Sequence, residues 1–119
     1  MIMRTANYTL TENDWKFLNS EYPNNEKNSH IGKKALDIAI LYFKSLDKSA
    51  RCEKEINKID LTVYTGDIIE KYEVKGTSSK EIAFDRLKVS STKCYNNLID
   101  GLKLLRVCDV GQKDVTFHF

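Results

Sequence analysis

Proline occurs once, at Pro23, and glycine only five times. So sparing a use of both excludes collagen-like repeats and Pro/Gly-rich low-complexity chains. With 41% hydrophobic and 30% charged residues it also argues against intrinsic disorder. Cysteine is nearly as rare. Cys52, Cys94 and Cys108 stand far apart, form no Cys-x-x-Cys pair, and have only His30 and His118 to supplement them. That pattern speaks against a zinc site and for reduced, partly buried thiols. No signal-peptide pattern opens the chain, so the expectation is a cytoplasmic protein. Long apolar runs are missing as well: the richest, Ala35 to Phe43, is short and carries Asp37, which excludes it as a membrane span. No internal repeat is present.

Charge of one sign is not in large excess either. A net charge of +2 does not demand a polyanionic partner, but it permits one. Local basic density is higher: Lys33, Lys34, Lys44, Lys48, Arg51, Lys54 and Lys58 lie close in sequence, as do Arg86, Lys88 and Lys93.

What remains is one domain of 119 residues, long enough to bury a core without metal or disulfide support. Residues 1–28 read as an N-terminal extension. It has a short strand through Tyr8, then a helix capped by Thr11 with Asp14 three residues on and Trp15, Phe17 and Leu18 on its apolar side. Asn19 to Ser29, with Pro23, reads as a loop. Ser29 is placed to cap a second helix in which Ile31, Ala35, Ile38, Ala39, Tyr42 and Leu46 recur at helical spacing. Asp37 lies on this helix in phase with Lys33, with which it can pair. The stretch from Asp47 to Lys58 suits a strand. Beyond the central hairpin the pattern predicts an extended segment over 82–89, a helix from Ser90 or Ser91 to Asp100 stopped by Gly101, and strands over 102–110 and 115–119 joined at Gly111-Gln112. The fold class is α/β (α+β): a central mixed sheet flanked by helices.

The most informative stretch is Ile59 to Thr77. Two β-rich runs flank Gly66-Asp67, a dipeptide suited to a two-residue turn because glycine accepts positive φ at the first central position. That turn pairs Thr65 with Ile68, Val63 with Glu70, Leu61 with Tyr72 and Asp60 with Glu73. Alternation puts Leu61, Val63, Tyr72 and Val74 on a core face and Asp60, Glu73 and Lys75 on the other. Directly opposed carboxylates cost roughly a few tenths to 1 kcal/mol unless a cation sits between them. Two carboxylates suit Mg²⁺, which keeps its remaining positions for water and phosphate oxygens. A lysine beside them can orient a water or stabilise developing charge.

Asp60 followed by Glu73-Val74-Lys75 on the next strand, after a helix bearing an acid, resembles the PD-(D/E)xK restriction-endonuclease-like nuclease superfamily. The text Tyr72-Glu73-Val74-Lys75-Gly76-Thr77 is similar to that superfamily's catalytic strand, and the resemblance runs from about Ser29 to Val110. It implies an αβββαβ core over about 29–110, dependence on Mg²⁺ for which Mn²⁺ can substitute, and cleavage of nucleic acid, DNA above RNA. It further implies Asp60 and Glu73 as metal ligands, with the Val74 carbonyl in reach, and Lys75 as the catalytic lysine. Asp37 takes the place of the acid that the first helix often contributes. Ile59 stands where the superfamily's name has Pro, and Asp37 is one methylene shorter than the commoner Glu. So minimal a nuclease would act as a homodimer or on a targeting partner. The alternative is a non-catalytic DNA-binding or protein-interaction subunit of the same fold.

Overall fold

The structure is a computed structural model that describes residues 4–24, 27–56, 58–79 and 102–119. Its first strand, β1 (Thr5–Thr9), leads into α1 (Glu12–Glu21). The Thr11 hydroxyl accepts the Asp14 N–H at 3.1 Å, satisfying one of the amides that a helix start leaves unpaired. Trp15 turns its indole N–H to the Gly111 carbonyl at 2.9 Å, which ties α1 to the far end of the chain.

The second helix, α2 (Asn28–Leu46), starts two residues earlier than the Ser29 cap implies. Lys27 is the cap and offers no side-chain bond; its carbonyl instead takes the amides of His30 and Ile31. Asn24 holds the Lys27 amide at 3.1 Å, so the loop sets the start of the helix from outside and leaves Ser29 already inside it. Ile31, Ala35, Leu36, Ile38, Ala39, Tyr42 and Phe43 are buried, an apolar sector wider than one stripe.

The remaining elements are β2 (Arg51–Ile56), β3 (Ile59–Thr65), β4 (Ile68–Gly76), β5 (Lys103–Cys108) and β6 (Asp114–His118). The expected extended segment over 82–89 and helix over 90–100 lie outside the described residues. The strands form a six-stranded mixed sheet in the order β1-β6-β5-β4-β3-β2, in which β4 and β5 are parallel and every other neighbouring pair antiparallel. The fold is therefore α+β. β1, read from sequence as part of an extension, pairs with β6 and is a full member of the sheet.

The β3–β4 hairpin has the expected register: Thr65 pairs with Ile68, Val63 with Glu70 and Leu61 with Tyr72. Gly66 takes φ 61°, as the first central position of such a turn needs. Leu61, Val63, Tyr72, Val74, Leu105, Val107, Val115 and Phe117 line the buried face and pack with α2 in one core. Tyr42 stacks on Phe117 with ring centroids 4.5 Å apart, and Phe43 meets Tyr72 at 5.1 Å. Truncating a fully buried member such as Leu61 to Ala would cost about 2–5 kcal/mol. Gly76 ends β4 where α2 lies closest: a Cβ there would sit 2.6 Å from the Ala35 Cβ and 3.1 Å from the Ile31 carbonyl oxygen. Only a residue without a side chain lets the helix rest on the end of β4.

Candidate active site

Asp60 stands near the start of β3 and Glu73 and Lys75 near the end of β4, so the hairpin's antiparallel pairing brings the three together. The ladder between β3 and β4 reaches Leu61 and Tyr72. One position further, where the sequence pairs Asp60 with Glu73, the Asp60 side chain makes its own bond: Oδ2 accepts the Val74 backbone N–H at 2.9 Å. On the other side of β3 the register passes from Lys54–Leu61 to Ile56–Ile59, and Glu55, abreast of Asp60, has φ 55°. A left-handed glutamate is uncommon and marks a local distortion of β2 beside Asp60.

The electrostatics follow from this crowding. Burial raises the Asp60 carboxyl above its ordinary range; the Val74 N–H opposes that shift, while Glu73 and Glu55 reinforce it and Lys75 offsets part of it. The Lys75 ammonium lies 3.2 Å from Glu73 Oε1, with Lys75 largely exposed and Glu73 mostly covered. Two carboxylates and a backbone carbonyl make an all-oxygen donor set of the kind Mg²⁺ takes from proteins. By the chemistry of its donors alone the set suits the implied ion. It consists of two acids, and among the described residues no three His, Cys, Asp or Glu side chains form a group that could hold a metal.

A cavity of about 250 Å³ opens at Asp60. Ser29, Gly32, Lys33 and Leu36 of α2 form one wall, and Glu55, Asp60 and Val74 of the sheet form the other. Asp37 is not among its lining residues. It lines a separate cavity of about 430 Å³ between α1, α2 and β2, with Phe17, Leu18, Lys44 and Cys52. There it accepts hydrogen bonds from Lys54 Nζ at 3.1 Å and from the Tyr22 hydroxyl at 3.2 Å. Its ion-pair partner is Lys54 across the helix–sheet interface, rather than Lys33 on its own helix. The carboxylate holds the Lys54 ammonium above its ordinary pKa, and burial with the same carboxylate raises the Tyr22 phenol.

Of the clustered basic residues, Lys33 is exposed on α2, while Lys34 is buried and donates to Asn19 Oδ1 at 2.8 Å. Burial lowers the Lys34 pKa. The signal was in the spacing: Lys34 follows Ile31 by three residues and precedes Ile38 by four, inside the apolar sector. Lys88 and Lys93 lie outside the described residues. Glu55 carried no sequence mark, because its place beside Asp60 depends on a positive φ that glutamate rarely adopts.

The thiols of Cys52 and Cys108 are free and both raised by burial, while Cys94 lies outside the described residues. His30 and His118 are occupied elsewhere, by the Asn24 amide and near the Thr5 hydroxyl. Among the described residues no helix is long and apolar enough to cross a membrane. No family of known proteins, no curated protein and no solved structure matches the chain.

Proposed function

We propose that the chain is a Mg²⁺-dependent nuclease, or endonuclease, that hydrolyses phosphodiester bonds, with DNA as its substrate and the reaction carried by Asp60, Glu73 and Lys75. The single observation behind this reading is the hairpin register. A turn at Gly66-Asp67 sets Asp60 against Glu73-Val74-Lys75, the arrangement that the PD-(D/E)xK resemblance requires. Element order agrees as far as it is described: α2, β2, β3 and β4 run in succession, and β5 lies parallel beside β4, in keeping with a restriction-endonuclease-like αβββαβ core.

Asp60 and Glu73 would hold Mg²⁺ with the Val74 carbonyl. When bound, the ion supplies charge neutralisation at the phosphate and a water of lowered pKa. The Val74 N–H fixes one oxygen of Asp60 and so sets the direction in which the other points. Glu73 pairs with Lys75 at 3.2 Å, which holds the exposed ammonium beside that carboxylate. From there Lys75 can donate to the attacking water or to the phosphoryl oxygen on which charge develops.

The test is cleavage of plasmid, single-stranded DNA and RNA in Mg²⁺ or Mn²⁺, with Asp60→Ala, Glu73→Ala and Lys75→Ala beside the parent chain. Activity in the parent that falls by about 10²-fold or more in each variant supports the assignment. A parent chain as inactive as its variants, with no metal binding by calorimetry, would leave the non-catalytic binding subunit as the better reading.

A further inference from the structure

On the nuclease reading, substrate must approach Asp60, and the charges lining the cavity there, which Glu73 and Lys75 do not line, are unequal. Asp60 and Glu55 present two carboxylates; Lys33 is the one cation among the lining residues. A phosphodiester approaching without a cation to meet it would face repulsion from both acids. Neighbouring lysines are committed: Lys75 to Glu73, Lys54 to Asp37, and Lys34 buried against Asn19. Lys33 is exposed and has no ion pair among the described residues. Beside it, Gly32 leaves the helix surface open, since a Cβ there would meet nothing within 4 Å.

We infer that Lys33 is a substrate-positioning residue: from α2, across the cavity from Asp60, it contacts a backbone phosphate of the nucleic acid and holds the strand in reach of the hairpin. The contact is to phosphate, so it carries affinity and register without sequence preference. A neutralised phosphate releases counterion, which gives the contact a signature that a purely structural role lacks.

The experiment measures binding of a fluorescein-labelled short duplex by anisotropy in Ca²⁺ at several KCl concentrations, for the full chain, Lys33→Ala, Lys33→Arg and Lys71→Ala. Lys71 is exposed on β4 and does not line the cavity. Cleavage in Mg²⁺ is measured beside it. Lys33→Ala should flatten the salt dependence by about one unit of log Kd against log salt and raise KM with kcat nearly kept. Lys33→Arg should restore both, and Lys71→Ala should match the parent. If the parent binds and cleaves but Lys33→Ala keeps the parental slope and KM, the Lys33 assignment falls and the nuclease reading stands. If the parent neither binds nor cleaves, both fall.

Discussion

Asp60 Oδ2 and the Val74 backbone N–H are joined at 2.9 Å, across the two strands whose ladder ends one pair earlier. A carboxylate raised in pKa by burial and by two neighbouring acids works against the folded state when ionised. Its sign is therefore unlike that of an acid in a favourable ion pair: the native state binds the proton more tightly, so its contribution is most favourable in acid and is lost as pH rises through the raised folded pKa. Asp60→Asn keeps an oxygen for the Val74 N–H and removes the charge. It should denature at higher urea than the parent at neutral pH, with the advantage vanishing below the ordinary aspartate pKa of about 3.9. The same variant should lose cleavage. A variant less stable than the parent at every pH would contradict this account.

Gly76 supplies a test of how α2 is seated. Gly76→Ala places a methyl 2.6 Å from the Ala35 Cβ and should cost about 1–3 kcal/mol in equilibrium unfolding. Ala35→Gly alone should cost about 1 kcal/mol through helix propensity. Together they should cost less than the two summed, because the second change removes one of the clashing atoms. Strict additivity would show that the two do not share a contact in solution.

Asp37 sits with Lys54 and Tyr22, in a cavity that Asp60 does not line. Asp37→Asn should therefore lower stability modestly, by about 0.5–1 kcal/mol for a partly exposed pair, and leave cleavage within a few-fold of the parent. A loss as deep as that of Glu73→Ala would instead return Asp37 to the reaction.

Gly66 has φ 61°, which a Cβ-bearing residue adopts at a cost of about 1–2 kcal/mol. Gly66→Val should destabilise by at least that much in thermal or urea melts, and Gly66→Asn by less, since asparagine tolerates the left-handed region. Inserting one residue at the turn is the harsher test. It shifts the register and sends Asp60 to the opposite face from Glu73, so cleavage should disappear even if the chain still folds.

The hairpin was legible because each of its determinants is local: a glycine for the turn, alternation along each strand, and a fixed register between them. Thr11 and the two last strands were legible for the same reason. Two things were not. The pairing of β1 with β6 joins segments more than a hundred residues apart, and no periodicity reports on a partner that distant. The surroundings of Asp60 were also hidden, since Glu55 depends on an unfavourable backbone conformation and Val74 acts through its amide rather than its side chain. Lys34 marks an opposite case, in which the spacing places a lysine in the buried sector although its charge favours the surface.

The contrast between local and distant pairing has a bearing on the order of assembly. Thr9 and Asp114 are 105 residues apart, and Thr5 and His118 are 113 apart, whereas β3 and β4 are separated by two residues. Loop-closure entropy therefore delays the docking of β1 relative to hairpin formation. Asp60 and Glu73 acquire their mutual geometry from a two-residue closure, as short as that between β2 and β3. Mutations that slow β1 docking should lengthen the late phase of refolding while leaving the early appearance of the hairpin untouched.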